Sequence, residues 1–212
     1  MILTIGGIKG GSGKSTIATQ LAVRRSKDAK VLLIDADSQG TSADFCAARA
    51  TAKGDSPTLT CVQLEGANVR SEGRKLAPNF DTVIIDAGGR DTAGQRAALT
   101  ISNIVLIPIR PRSFDVWTLE AVQQLVADAK GINEALRALV LVSQADVRSS
   151  DNRDAEKIVA DMPGFELIDA TIRARKAFAT AGGYGLGVGE VKDADAKAIR
   201  EVETLYECLF SA

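Results

Sequence analysis

Histidine is absent from the 212 residues, which excludes a Ser-His-Asp triad, a histidine metal site and a histidine proton shuttle. Any chemistry must come from carboxylates, lysine or a metal held by oxygen. Cysteine is scarce: Cys46, Cys61 and Cys208 are odd in number, far apart in the chain and without a C-x-x-C pair, so they form neither a disulfide framework nor a zinc site. Such usage fits a reducing cytoplasm. No basic n-region or cleavage site accompanies the first apolar run, and the longest apolar stretches, such as Ile104 to Ile109, are far too short to span a bilayer. A cytoplasmic protein with no membrane segment is expected. Charge of one sign is not in excess either, because 26 Lys and Arg against 27 Asp and Glu leave a net charge of -1. Binding to nucleic acid or anionic lipid would therefore need a local patch.

What is present is enough apolar residue, 45% of the chain, to bury one substantial core, and a single domain over 1–212 is the expectation. Short β-branched runs recur at Ile2 to Ile5, Val31 to Ile34, Thr82 to Ile85, Ile104 to Ile109 and Leu139 to Val142. Helical patterns lie at Ser15 to Arg25, Thr92 to Ser102, Val116 to Ala129, Asn152 to Met162 and Ala194 to Leu209. Strands apolar on both faces and separated by helices predict an α/β fold, a mostly parallel twisted sheet with helices on both faces. Leu59 to Leu64 reads as a further edge strand, and the glycine-dense stretch Gly182 to Gly189 as a mobile surface loop before the last helix.

The first strand runs into Lys9-Gly10-Gly11-Ser12-Gly13-Lys14-Ser15-Thr16, where a helix begins. A strand, a glycine-rich turn and a helix N-terminus aim backbone N–H groups at an anion, the arrangement of a phosphate-binding P-loop. Gly10, Gly11, Ser12, Gly13, Lys14, Ser15 and Thr16 would cradle the phosphates of a nucleoside triphosphate. Lys14 would reach the β- and γ-phosphates and the Ser15 hydroxyl would complete the coordination of Mg²⁺. The strict motif asks for glycine at position 8, where this chain has Ile8. Two further strands end in acids. Asp35 and Asp37 follow Val31 to Ile34 and share one side by strand alternation, and Asp86 follows Thr82 to Ile85 in the form of a magnesium-side Walker B aspartate. Gly88 and Gly89 leave room for backbone near a γ-phosphate, as a sensor of its presence.

Lys9-Gly10-Gly11-x-Gly13-Lys14-Ser15-Thr16 and Asp35-x-Asp37-x-Gln39-Gly40 resemble the deviant loop and second motif of the ParA/MinD ATPases, and the likeness runs from about Ile2 to about Glu190. The resemblance implies an ATP hydrolase using Mg²⁺. In it Lys9 is the signature lysine that crosses to the partner's nucleotide in an ATP-bound homodimer, Asp37 orients the attacking water, and Asp35 sits in the outer shell of the metal. Ser38 stands where the family often has proline, and Ala87-Gly88-Gly89 departs from its usual proline after Asp86. GTP-specific relatives carry Asn/Thr-Lys-x-Asp where this chain has Ser143-Gln144-Ala145-Asp146, so ATP is expected, with Gln144 as a partner for adenine. Pro111 to Asp115 resembles the family's P-x-x-x-D segment, and Ile172 to Arg175 with Gly187 to Glu190 its C-terminal stretch.

The compact length is similar to that of the small plasmid-partition ParA proteins, implying slow ATP hydrolysis stimulated by a centromere-binding, ParB-like partner protein and by non-specific DNA. The ATP-bound dimer would then associate with the nucleoid. Arg173, Arg175 and Lys176 are the expected DNA contacts, with Arg148 and Arg153 as contributors. A MinD-like membrane cycle is disfavoured by the acidic last helix, with Asp193, Asp195, Glu201, Glu203 and Glu207. An iron–sulfur assembly ATPase is disfavoured by the cysteine spacing. A positioning ATPase with a non-DNA cargo remains the alternative.

Overall fold

A computed structural model describes residues 1–111, 116–145 and 151–210, excluding the side chains of 116, 117, 151–154 and 156. Seven strands, β1 (Ile2–Ile5), β2 (Val31–Asp35), β3 (Leu59–Gln63), β4 (Thr82–Asp86), β5 (Ile104–Ile109), β6 (Arg137–Ala145) and β7 (Glu166–Arg173), form one sheet in the order β3-β2-β4-β1-β5-β6-β7. Every neighbouring pair is parallel. The helices are α1 (Lys14–Arg25), α2 (Thr41–Lys53), α3 (Asn68–Leu76), α4 (Ala93–Leu99), α5 (Val116–Lys130), α6 (Asp151–Ala160), α7 (Lys176–Gly183) and α8 (Ala196–Phe210), with a short 3₁₀ turn at Ala77–Asn79.

Strand alternation divides the core between the two faces of the sheet. Leu3, Ile5, Leu33, Ile84, Leu106 and Leu141 point to the face covered by α1, α7 and α8, and pack with Ile17, Leu21, Phe178, Val202 and Leu205. On the other face Leu32, Ile34, Val83 and Ile85 meet α3 and α4, while Val105, Ile107, Ala138 and Val140 meet α5 and α6. Both faces being covered explains why β2, β4 and β5 read as unbroken apolar runs. The chain visits β2, β3 and β4 on one side of β1, then crosses to β5. That reversal puts a crevice at the carboxyl ends of the central strands, where open α/β sheets bind ligands.

Two helices, α2 and α3, lie in segments without a clear helical pattern. Only Ser42 and Phe45 of α2, and Val69 and Gly73 of α3, are buried, too few to leave a periodic apolar stripe. The glycine-dense stretch also differs from the expected mobile loop. Gly182 and Gly183 end α7, and residues 185–190 are tied to α1 and α2. Gln20 bonds both the Leu186 carbonyl (3.1 Å) and the Val188 amide (2.7 Å), and Arg49 pairs with Glu190 at 2.7 Å. A Cβ at Gly185 (φ +65°) would fall 2.2 Å from the Arg49 amide nitrogen, so close backbone approach, not mobility, requires glycine there. The thiols are free, and Cys61 Sγ on β3 donates to the Ser42 carbonyl on α2 at 4.0 Å. Among the described residues no helix is long and apolar enough to cross a membrane.

Candidate nucleotide site

The carboxyl ends of β1, β2, β4 and β6 surround a cavity of about 580 Å³ whose walls include Gly13, Lys14, Asp37, Gly89, Arg90 and Gln144. Its floor is the P-loop. Gly13 adopts a left-handed conformation (φ 91°) as the N-cap of α1, with no side-chain cap, so the first amides of the helix face the cavity without a protein acceptor from that residue. The helix dipole adds to their attraction for an anion.

Lys14 is only 6% exposed, and its ammonium donates to the Lys9 carbonyl at 2.7 Å. Burial pulls its pKa below the usual lysine value, although Asp86 and Asp37 oppose this. A phosphate in the cradle would supply the countercharge that one carbonyl dipole replaces only in part. The same bond ties the backbone of Lys9 to the state of Lys14.

The acids converge as their strand-end positions predict. In the last rung of the sheet Asp86 is registered between Ile5 and Asp35. Asp86 is 1% exposed, accepts from Ser42 Oγ at 2.6 Å, and is pushed up to about 6, chiefly by burial, against the Ser42 bond, the nearby Ser15 hydroxyl and the charge of Lys14. Its Oδ1 is buried and lacks a protein partner. A buried, orphaned carboxylate oxygen beside the Ser15 hydroxyl is the donor chemistry that suits a hard divalent cation, so the residues fit Mg²⁺.

Asp35 accepts from the Asp37 amide at 3.1 Å through Oδ1 and from the Ala43 amide at 2.8 Å through Oδ2. Burial raises its pKa in spite of those bonds. Asp35 thus holds the turn that carries Asp37 and the first turn of α2. Asp37 is half-buried on the cavity wall, and a Cβ at Gly88 would lie 3.1 Å from its carboxylate. The Gly88-Gly89 turn approaches even more closely elsewhere: a Cβ at Gly89 would fall 2.9 Å from Gly10 Cα, 3.0 Å from Gly10 N and 3.2 Å from Lys14 Nζ.

Gln144 has a partner within the protein. It sits at φ 52°, unusual for a non-glycine residue, and its side-chain amide donates to the Gly11 carbonyl at 2.7 Å. Ser143 Oγ donates to the Ser12 carbonyl at 2.9 Å, and Arg110 also bonds the Gly11 carbonyl. The end of β6 therefore grips the outer side of the P-loop, leaving the loop's amides to face inward. A second, more apolar cavity of about 370 Å³ adjoins at Thr16, Gln144, Ile172 and Phe178.

The basic cluster is paired in part within the fold. Arg173 and Arg175 converge on Glu201 of α8, at 2.9 and 2.7 Å, and Asp195 lies 3.8 Å from Arg175. Glu201 takes up much of their charge because β7 ends where the buried carboxylate of α8 arrives, while the Arg173 side chain stays 39% exposed and Lys176 is exposed. Arg148, Asp115, Asp146 and the side chain of Arg153 lie outside the described residues. Sequence reasoning missed Ser42, Arg90, Thr92 and Ser143. Thr92 had a signal, since Thr92-x-x-Gln95 is a capping-box pattern and the Thr92 hydroxyl does accept from the Gln95 amide at 3.1 Å.

The CobQ/CobB/MinD/ParA nucleotide binding domain pattern matches residues 3–188, spanning the P-loop, all three strand-end acids and the β7–α7 region. The chain belongs to that family. Relatives in this CobQ/CobB/MinD/ParA family include the Maintenance of carboxysome distribution protein A of Halothiobacillus neapolitanus, 26% identical with 96% of this chain and 93% of that protein covered. The protein of the same name from Gloeobacter kilaueensis is 30% identical, with 93% and 87% covered. Among solved structures, apo McdA of Cyanothece superposes with a TM-score of 0.80 at 19% identity, covering 98% of each chain. A putative plasmid partition protein of Borrelia burgdorferi, bound to AMPPNP, gives a TM-score of 0.74 at 21% identity, covering 99% of this chain and 98% of that one. The likeness in these structures is one of fold, and this chain carries the family's P-loop sheet in full.

Proposed function

We propose that this CobQ/CobB/MinD/ParA family member is an ATP hydrolase that positions a cargo within the cell, cycling between a nucleotide-free monomer and an ATP-bound dimer. The observation that carries the nucleotide reading is the convergence of Lys14, Ser15 and Asp37 on one cavity at the topological reversal of the sheet, with Asp86 buried close to Lys14 and Ser15. The P-loop amides and Lys14 bind the phosphates, and the apolar cavity near Ile172 and Phe178 takes the base. Ser15 and Asp86 hold Mg²⁺, which when bound neutralises charge developing on the phosphates. Asp37 orients a water toward the γ-phosphate. Lys9 reaches the partner's nucleotide, so that closure of the dimer completes each site.

For the cargo, the relatives matched over nearly their whole length favour a protein-bodied assembly, since both are named for carboxysome distribution. This replaces plasmid DNA as the first reading. Plasmid partition with a centromere-binding partner is the second, supported by the fold shared with the Borrelia protein. In either case non-specific DNA is the proposed track for the dimer, engaged through Lys176 and through arginines that must leave Glu201.

Deleting the gene and imaging the cell tests the assignment. Clumping of a protein-shelled body with normal plasmid retention supports the first reading, and plasmid loss with evenly spaced bodies supports the second. Purified protein should hydrolyse ATP slowly with Mg²⁺ and faster when DNA and partner are added. Rapid turnover by the isolated chain would count against a regulated switch.

A further inference from the structure

The inner site is rich in acid. Asp35, Asp37 and Asp86 lie at the strand ends around Lys14, whose ammonium is already engaged by the Lys9 carbonyl. An incoming triphosphate needs more cationic help than Lys14 gives, particularly at the terminal phosphate, which carries the most charge. Arg90 stands at the right place on the wall. It immediately follows Gly89, whose backbone is packed so tightly on Gly10 and Lys14 Nζ that no Cβ fits. Adjacent Cα atoms are about 3.8 Å apart, so the Arg90 side chain starts within one residue of that contact. It lines the cavity together with Asp37 and Lys14.

Among the described residues nothing occupies Arg90. The nearest carboxylate in sequence, Asp91, is held in a two-bond fork by Arg96, at 2.7 and 2.6 Å, and Arg96 reaches on to Asp128 at 3.1 Å. Among the described residues Arg90 makes no hydrogen bond or ion pair, although it lines the cavity floored by the P-loop. The fork between Asp91 and Arg96 anchors the backbone just beyond Arg90 to α4 and keeps Asp91 from neutralising it. A planar guanidinium with five donors is suited to the oxygens of a terminal phosphate.

From this geometry we infer that Arg90 binds the γ-phosphate and makes the site prefer a nucleoside triphosphate over the diphosphate. The inference rests on the reading of the cavity as a nucleotide site and adds the residue that tells the two nucleotides apart. The turn at Gly88-Gly89 then couples that contact to Asp37 and to the P-loop, since it touches both.

The test is calorimetric titration of wild type, Arg90→Ala, Arg90→Lys and Lys14→Ala with Mg-ADP and with a non-hydrolysable Mg-ATP analogue. Arg90→Ala should weaken the triphosphate at least about tenfold, equivalent to roughly 1.4 kcal/mol, and leave the diphosphate unchanged. Arg90→Lys should recover part of the loss, because it keeps the charge but not the fork. Lys14→Ala should lose both nucleotides. Equal weakening of both nucleotides by Arg90→Ala, or no weakening of either, overturns the inference while wild-type binding and its loss in Lys14→Ala leave the site reading intact. A wild type that binds neither nucleotide overturns the site reading and the inference with it.

Discussion

Replacing Glu201 by alanine probes how the end of β7 is tied to α8 and whether that tie restrains the basic cluster. Glu201 is 7% exposed and accepts four bonds: from the Arg173 amide at 3.0 Å, from Arg173 Nη1 at 2.9 Å, and from Arg175 Nε and Nη2 at 3.0 and 2.7 Å. Breaking a buried pair from one side costs about 3–5 kcal/mol when the other charge is stranded. Here the stranded charges are not equally buried. Arg173 is 39% exposed and can turn to water, where such a pair has little worth, whereas Arg175 is 17% exposed and keeps only the longer contact with Asp195. The expected loss is therefore smaller, about 2–3 kcal/mol. Urea unfolding should show a lower midpoint with an unchanged slope. Burial pushes the Glu201 carboxyl up, but the bonds from Arg175 and Arg173 prevail and hold it below the usual glutamate range. A depressed carboxyl stabilises the fold above its unfolded pKa and loses that contribution as pH falls through the folded one, so the gap between wild type and Glu201→Ala should close on acidification. The same substitution frees Arg173 and Arg175, and should strengthen salt-dependent binding of unrelated DNA duplexes. A stability change under about 1 kcal/mol would refute the proposed tie. Weaker or unchanged DNA binding would refute the view that Glu201 restrains a DNA-contacting patch.

Gly89→Ala forces backbone apart at Gly10, a strain of about 1–3 kcal/mol, and should lower nucleotide affinity in calorimetry more than it lowers thermal stability. Unchanged affinity would mean the turn yields without disturbing the P-loop. Asp37→Ala should bind Mg-ATP yet hydrolyse it hardly at all and accumulate as dimer in gel filtration; normal turnover would hand the water-positioning role to another residue. Lys9→Ala should bind ATP as a monomer, because the carbonyl that receives Lys14 is kept while the side chain proposed to cross the interface is lost. A dimer of this variant in ATP would remove the cross-subunit role.

Local order in the chain determined the strands that carry the site. Ile2 to Ile5, Val31 to Ile34 and Thr82 to Ile85 are apolar because both faces of the sheet are covered, and a glycine turn before Lys14-Ser15-Thr16 has one economical use at a helix start. Asp35, Asp37 and Asp86 were legible for the same reason: an acid that ends a buried strand must emerge where the sheet opens. The packing of distant segments was not legible, because it leaves no period in the sequence. The burial of Ser42 against Asp86, the Gln144 grip on Gly11 and the tight seat of Gly185 on Arg49 each join residues far apart in the chain. Arg173 and Arg175 show the limit most clearly. Spacing placed them side by side as free cations, but α8 returns along β7 and brings a buried carboxylate between them. Charge in a sequence is counted residue by residue, whereas its availability depends on which opposite charge the fold buries beside it, and that was decided by the tertiary structure alone.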